Sequence, residues 1–83
     1  MDQNPHSDSS PVRWGIVGTG AMARTAARDL QLLPQAEILA IASRSHANAQ
    51  AMARELDVPR AYGSLDALCA DPEIDLVYIA PLS

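Results

Sequence analysis

A short glycine-containing stretch is the part of this sequence best suited to binding an anion. Gly18-Thr19-Gly20-Ala21-Met22-Ala23 follows an apolar run and opens an alanine-rich segment, so it predicts a turn between a strand and a helix. Gly18 allows the tight turn, Gly20 removes a side chain where a diphosphate must approach the backbone, and the small Ala23 lets helix and strand pack closely. The helix N-terminus adds unpaired N–H groups and partial positive charge. An ordinary strand–helix turn is the alternative, and the surrounding strand–helix–strand pattern favours the dinucleotide site.

The second informative position lies at the end of the next predicted strand. About 20 residues beyond the glycines, NAD-binding folds usually place Asp or Glu against the adenosine ribose. This sequence has Ser43-Arg44-Ser45 there, and no carboxylate between Glu37 and Glu55. An acid would repel a 2′-phosphate, whereas a guanidinium and hydroxyls pair with it. We therefore predict NADP rather than NAD. Arg44 would contact the 2′-phosphate or stack on adenine, and Ser43 would hydrogen-bond to that phosphate. In the alternative, Arg44 is a solvated surface side chain and Ser43 or Ser45 only caps the next helix.

The elements that must position these residues alternate between strand and helix. Apolar runs predict strands over 12–17, 37–43, 60–62 and 75–80, and helical spacing predicts helices over 21–33, 46–56 and 65–70. Helical crossovers of this length join parallel strands with right-handed connections. The predicted fold is α/β: a partial Rossmann fold, a doubly wound parallel sheet of four strands with crossover helices that stops after the fourth strand.

The helices are expected to bury one face each. The residues predicted to pack inward are Met22, Ala26, Leu30 and Leu33 in the first helix, Ala49, Met52, Ala53 and Leu56 in the second, and Leu65, Leu68 and Cys69 in the third. Ser45 and Ser64 are predicted N-caps. Tyr62 is interpreted as a structural anchor at the sheet edge, and His46 lies on the adenosine side, so neither is assigned a catalytic role.

Composition limits the classes of partner. The 83 residues carry a net charge of −4, 4% aromatic residues and no lysine, which argues against a nucleic-acid partner. One cysteine excludes an internal disulfide and a Cys-rich metal site, and we assign no metal. No apolar run approaches the ~20 residues that cross a bilayer, so no membrane partner is expected. The polar residues 1–11 predict a disordered tail rather than a secretory signal, and the expected location is the cytoplasm.

Residues 12–80 resemble the N-terminus of the Gfo/Idh/MocA oxidoreductases. The resemblance is carried by residues 12–23, by Ala42-Ser43-Arg44, by Ala61-Tyr62-Gly63-Ser64 and by residues 71–80, in that order and spacing. It implies a Rossmann domain followed by a substrate domain, and hydride transfer between NAD(P) and a sugar, polyol or related alcohol. It also implies which residues bind the cofactor: Gly18, Thr19, Gly20, Ala21 and Met22 at the diphosphate, and Ser43 and Arg44 at the adenosine end of NADP.

The sequence also departs from the family's pattern. The fourth strand leads into Ala80-Pro81 rather than into the threonine of the family, and the chain stops at Ser83 before the Glu-Lys-Pro motif, the later histidine and the substrate domain. We therefore assign no catalytic residue and expect residues 12–83 to be the N-terminal part of a cofactor-binding domain, inactive alone. The fourth strand would then leave an open edge, through which we expect self-association. A non-catalytic nucleotide-binding or oligomerisation remnant is the alternative, and a methyltransferase binding S-adenosylmethionine is disfavoured because it normally has an acid where Ser43-Arg44 stands.

Overall fold

A computed structural model describes residues 10–81 of the chain. Residues 1–9 of the predicted tail, and residues 82–83, lie outside the described residues. The elements follow in the order β1 (Val12–Val17), α1 (Ala21–Gln31), β2 (Ala36–Ala42), α2 (His46–Leu56), β3 (Arg60–Tyr62), α3 (Leu65–Cys69) and β4 (Leu76–Ile79). This alternation is the one that the hydrophobic pattern predicts.

The strands form one parallel sheet in the order β3-β2-β1-β4. The chain proceeds outward from β1 through β2 to β3, and then returns to place β4 on the other side of β1. The predicted doubly wound α/β fold is therefore confirmed. Strand order reverses between β1 and β4, and ligands of open α/β sheets bind at the carboxyl ends of the strands beside such a reversal.

Helices cover both faces of the sheet. On one face α1 and α2 pack on Ile16, Ile38 and Ile41, and on the other face α3 places the fully buried Leu68 against Ala40 and Ala42. Gly15 of β1 lets α3 approach this closely, because a Cβ at that position would lie 2.7 Å from Leu68 Cδ2. The second helix buries the stripe that was predicted for it, which consists of Ala49, Met52, Ala53 and Leu56.

The first helix packs through a face that is rotated from the predicted one and shares Leu30 with it, since Leu30 packs against the core. Ala23 and Ala27 are fully buried, whereas Met22 and Leu33 are 55% and 53% exposed and Ala26 is only half-buried. The prediction that Met22 and Leu33 pack on the sheet is therefore wrong. Small side chains let the helix axis approach the sheet closely, and this turns the larger side chains toward the helix flanks.

The first helix also ends at Gln31, before the predicted end at residue 33. Leu32 and Leu33 donate from their backbone N–H groups to Asp29 and Leu30, at 3.1 and 3.0 Å. These bonds span three residues rather than four, so the chain tightens into a turn before Pro34. The reason is that proline disfavours helical torsions in the residue that precedes it.

The third helix buries less than predicted. Leu68 is fully buried, but Leu65 is 40% exposed and Cys69 is exposed. The prediction that Leu65 and Cys69 face the core is wrong, because so short a helix touches the sheet through little more than one side chain. Its N-cap follows the prediction: Ser64 accepts from the Ala67 N–H at 3.0 Å.

Candidate dinucleotide-binding site

A cleft of about 510 Å³ opens at the carboxyl edge of the sheet, where β1, β2 and β4 end. Every residue predicted to contact the cofactor lines it, and so do a few residues that were not predicted. The lining consists of Val17, Gly18, Thr19, Gly20, Ala21, Met22, Ala23, Ser43, Arg44, Leu65, Ile79, Ala80 and Pro81. The structure therefore brings the glycine turn and the Ser43-Arg44 pair into one cavity.

Gly18 begins the turn in a conformation that favours glycine. Its φ is +117°, and a Cβ at this position would lie 3.1 Å from the Ala80 Cβ. Its N–H donates to the Ala42 carbonyl at 2.8 Å, while the Ala80 N–H donates to the Val17 carbonyl at 3.0 Å. The turn is thus fixed between the ends of β2 and β4, as a tight turn out of β1 requires.

Gly20 has a different environment. Its φ of −80° suits any residue, and a Cβ built there meets no atom within 4 Å. A side chain would therefore project into open space beside the cleft. The residues present fit a ligand that approaches the backbone closely at this point, as a dinucleotide diphosphate does.

The N-terminus of α1 is also suited to an anion. Its N-cap, Gly20, makes no side-chain cap bond, and its first turn holds no acidic residue. The other two helices differ, because the hydroxyls of Ser45 and Ser64 accept from N–H groups of α2 and α3. The first turn of α1 therefore keeps backbone donors that no side chain of its cap satisfies, at the positive end of the helix dipole.

Ser43 and Arg44 continue directly from β2 into the cleft. The Ser43 N–H donates to the Tyr62 carbonyl at 3.1 Å, and its hydroxyl accepts from the Ser45 N–H at 3.2 Å. The hydroxyl hydrogen therefore stays available to an acceptor. Among residues 10–81, Arg44 is the one charged residue that lines the cleft, and it is exposed to solvent. No carboxylate of these residues belongs to the lining, so the electrostatic field of the cavity wall favours an anionic ligand.

Sequence reasoning missed several residues of the cleft. Ile79, Ala80 and Pro81 line it because β4 ends beside β1. Their place at the carboxyl end of the last predicted strand, or directly after it, was the signal that could have found them. Leu65 was assigned to the core but lies at the cleft instead. Arg24 was given no role, yet its guanidinium donates to the Thr19 carbonyl in the glycine turn, and no sequence signal indicates that contact.

A second polar cluster lies away from the cleft, around Asp71. This carboxylate is 9% exposed and accepts from the Tyr62 hydroxyl at 2.6 Å, the Glu73 N–H at 3.0 Å and the Arg60 guanidinium at 2.7 Å. These donors, with the Tyr62 hydroxyl the strongest, lower the pKa of Asp71 to about 2. The same hydrogen bond raises the pKa of Tyr62. Tyr62 is thus a structural anchor, as its position predicted.

His46 likewise has a structural contact. A nitrogen of its ring lies 3.2 Å from the Ala61 carbonyl oxygen, and the side chain packs over Gly63, where a Cβ would lie 3.4 Å from the Cβ of His46. It does not line the cleft. Across residues 10–81, no helix is both long and apolar enough to cross a bilayer, and no group of three His, Cys, Asp or Glu is placed to share a metal ion.

Comparison with known proteins gives consistent matches. Residues 12–82 match GFO_IDH_MocA, an oxidoreductase family with an NAD-binding Rossmann fold. Trans-1,2-dihydrobenzene-1,2-diol dehydrogenase from Danio rerio is 41% identical over 73 residues, which cover 86% of this chain and 22% of that protein. Among solved structures, myo-inositol dehydrogenase from Lactobacillus casei, in complex with NAD(H) and myo-inositol, matches with a TM-score of 0.79 and 32% identity over 87% of this chain and 22% of that one.

A second solved structure contains NADP instead of NAD(H). A variant 3-ketoreductase from Actinomadura kijaniata, in complex with TDP-benzene and NADP, matches with a TM-score of 0.78 and 31% identity over 88% of this chain and 23% of that one. Structural relatives therefore include complexes with NAD(H) and with NADP. The chain spans less than a quarter of the length of each of these proteins.

Proposed function

Since this chain belongs to the Gfo/Idh/MocA family of oxidoreductases and has its NAD(P)-binding Rossmann fold, we propose that it forms the cofactor-binding part of an enzyme that prefers NADP. The reaction we propose is hydride transfer between NADP and a sugar, polyol or related alcohol. The observation that carries the proposal is the single cleft that unites the glycine turn with Ser43 and Arg44.

The substrate class is supported by the relatives. Their names describe a dehydrogenase of a dihydrodiol, a dehydrogenase of myo-inositol and a 3-ketoreductase. The first two substrates carry hydroxyl groups on a carbon ring. The third activity is the reduction of a ketone, which is the reverse of alcohol oxidation. An alcohol–ketone couple is the chemistry that these activities share.

The preference for NADP is supported by the charge of the cleft. Arg44 is its charged lining residue, and Ser43 keeps a hydroxyl hydrogen to donate. Together they offer a guanidinium and a hydroxyl to the 2′-phosphate at the end of β2, where an acid would bind the free hydroxyls of NAD instead. The N-terminus of α2 begins beside them and adds positive potential.

The chain's own residues would bind and orient the cofactor rather than transfer protons. The nicotinamide of a bound cofactor supplies the hydride chemistry. Backbone N–H groups from Thr19 to Met22 would hold the diphosphate, and Ala80 and Pro81 at the end of β4 would bound the cleft on its other side. We assign no acid or base among residues 10–81, because the lining holds no His, Lys, Tyr or carboxylate.

Titration with both cofactors tests the preference. NADPH and NADH are added to the 83-residue chain and to Arg44→Ala, with binding followed by cofactor fluorescence. We expect NADPH to bind more tightly, and Arg44→Ala to weaken NADPH by about tenfold or more while leaving NADH unchanged, because a charge-assisted bond to a phosphate contributes roughly 1.5–3 kcal/mol.

The matched control is Arg54→Ala, which removes the same charge from the exposed surface of α2. It should leave both affinities unchanged. Equal affinity of the unmodified chain for the two cofactors, or equal effects of the two substitutions, would refute the proposed preference for NADP.

A second candidate function is nucleotide binding without catalysis. The lining of the cleft supports it, because the described side chains there offer a guanidinium and hydroxyls to an anion but include no proton donor or acceptor suited to alcohol oxidation. The chain alone is expected to be inactive under both candidates, so they are separated by joining it to the remaining part of a relative such as the myo-inositol dehydrogenase and adding NADPH and a ketone substrate. Cofactor binding without NADPH oxidation indicates the binding function alone, whereas turnover indicates the enzyme.

A further inference from the structure

Arg24 contacts the glycine turn from outside the cleft. Its Nη1 donates to the backbone carbonyl of Thr19, and its Nε and Nη2 donate to the carboxylate of Glu55, at 3.2 and 3.0 Å. Arg24 belongs to α1 and Glu55 to α2, so one guanidinium ties the turn after β1 to the helix after β2. The Arg24 side chain is 32% exposed, which leaves most of it enclosed by these contacts.

The two charges lie at helix ends that do not favour them. Arg24 is close to the N-terminus of α1, and Glu55 lies in the last turn of α2, whereas the helix dipole favours acids at the start of a helix and bases at its end. Neither charge therefore helps its own helix. Their mutual pairing offsets this, and the hydrogen bond from Arg24 lowers the pKa of the Glu55 carboxyl.

The carbonyl that Arg24 holds shares its peptide group with the Gly20 N–H. In a planar trans peptide the C=O and N–H point in opposite directions, and the described residues contain no cis peptide bond. A guanidinium that holds the Thr19 carbonyl behind the turn therefore directs the Gly20 N–H to the other side. Glycine is conformationally permissive, so the sterics at Gly20 restrict the rotation of this peptide little, and the contact from Arg24 restrains it.

We propose that Arg24, braced by Glu55, is a positioning residue that holds the Thr19–Gly20 peptide with its N–H toward the diphosphate of a bound dinucleotide. This inference rests on the proposed function. It differs from a direct phosphate contact, because Arg24 acts through the backbone of the turn and does not line the cleft.

Arg28 supplies an internal comparison. It lies one turn further along α1 and pairs with the same carboxylate, Glu55, at 3.0 Å. Within residues 10–81 its hydrogen bond is to Glu55 alone, and it does not reach the turn. Arg24→Met and Arg28→Met therefore each remove one charge and one ion pair with Glu55, but only Arg24→Met releases the Thr19 carbonyl.

The experiment titrates two ligands into the 83-residue chain and both variants. ADP-ribose contains the diphosphate, and adenosine 2′-monophosphate lacks it. We expect Arg24→Met to bind ADP-ribose about tenfold more weakly and Arg28→Met less than about twofold more weakly. Adenosine 2′-monophosphate should bind all three proteins equally. Thermal melts of the variants check that both retain the fold.

A spectroscopic readout separates positioning from general charge. The amide resonance of Gly20 should shift when ADP-ribose binds the unmodified chain and Arg28→Met, and the shift should be lost in Arg24→Met. Arg24→Lys keeps the charge, but a single ammonium cannot hold the carboxylate and the carbonyl in the same fixed fork. It should therefore fail to restore the tight binding of ADP-ribose.

The outcomes distinguish the two proposals. Full affinity in Arg24→Met, equal losses in both methionine variants, or complete restoration by Arg24→Lys would overturn the positioning role while the binding function stands. If the unmodified chain binds neither ADP-ribose nor NADPH, the proposed function fails and this inference fails with it.

Discussion

At the scale of single residues, the two glycines of the turn are glycine for different reasons. Gly18 has a φ of +117° and little room for a Cβ, whereas Gly20 has an ordinary φ of −80° and open space around it. The first glycine serves the fold, because its backbone conformation is strained for other residues. The second is free of that constraint, which agrees with the proposed approach of a diphosphate to its backbone.

Alanine substitutions at the two positions should therefore separate stability from binding. We expect Gly18→Ala to lower the free energy of unfolding by about 1–3 kcal/mol, the cost of a non-glycine residue in a rare backbone conformation. Gly20→Ala should change the free energy of unfolding by less than about 1 kcal/mol, because the only structural change is that alanine replaces glycine at the N-cap of α1. It should nevertheless weaken NADPH binding, because the added methyl group lies where the diphosphate approaches.

Urea denaturation and NADPH titration of both variants provide the measurements, and each variant serves as the control for the other. A Gly20→Ala protein with unchanged NADPH affinity would contradict the role given to the turn. A Gly18→Ala protein of unchanged stability would contradict the strain attributed to its backbone conformation.

At the scale of elements, Asp71 joins the edge strand β3 to the turn that leads into β4. It accepts from Tyr62 and Arg60 of β3 and from the Glu73 N–H within its own turn. Arg60 also pairs with Glu73, and these two carboxylates raise the pKa of Arg60, with Glu73 the stronger. β3 has only three residues and pairs with β2 at each of them, so this cluster adds a second set of bonds that hold the edge strand.

The cluster predicts a dependence of stability on pH. The low pKa of Asp71, about 2, lies below the usual Asp value of about 3.9, so the ionised carboxylate stabilises the folded chain. That contribution is complete above about pH 4 and is lost as the pH falls through about 2. We expect the free energy of unfolding, measured by urea denaturation, to decline over this window.

Tyr62→Phe tests the same cluster, because Tyr62 is the strongest of the donors to Asp71. The variant should be less stable by about 1 kcal/mol at neutral pH, and the difference from the unmodified chain should narrow as the pH falls through about 2, where Asp71 becomes protonated. Tyr78→Phe is the matched control, since Tyr78 packs against the core through its ring. A difference that stays constant from pH 7 to pH 2 would exclude Asp71 as its source.

At the scale of the whole molecule, the sheet has one edge with large apolar side chains. β4 is paired only with β1 within the described residues, and Leu76 and Ile79 are 50% and 59% exposed. An apolar cavity of about 320 Å³ adjoins Leu76 and Trp14 at the amino ends of the strands. Such an edge offers unpaired backbone groups and apolar surface to a second chain.

We propose that the 83-residue chain self-associates through this edge. Leu76→Lys places a charge on the strand and should shift the chain toward monomer, because a lysine on an edge strand opposes pairing. Leu32→Lys is the matched control, since Leu32 is 80% exposed but lies at the end of α1 rather than on a strand. Analytical ultracentrifugation measures the change. A monomeric, cooperatively melting unmodified chain would contradict the proposal.

The local pattern of the sequence determined the order and type of the elements. α2 and β3 have the predicted bounds, and Ser45 and Ser64 cap the helices predicted for them, because caps and hydrophobic spacing act over a few neighbouring residues. The main residues of the cleft could be predicted for a related reason. In a parallel α/β sheet the carboxyl ends of the strands meet at one edge, so the residues after β1 and β2 must lie close together.

Only the tertiary structure decided which side chains meet across elements. Packing through Ala23 and Ala27 left Met22 exposed, and the shortness of α3 left Cys69 outside the core. The contact of Arg24 with both Thr19 and Glu55 depends on how α1 lies against α2, over a sequence separation of 31 residues to Glu55. Helix rotation and spacing are set by the fit of all neighbouring side chains at once, and no local stretch of sequence contains that information.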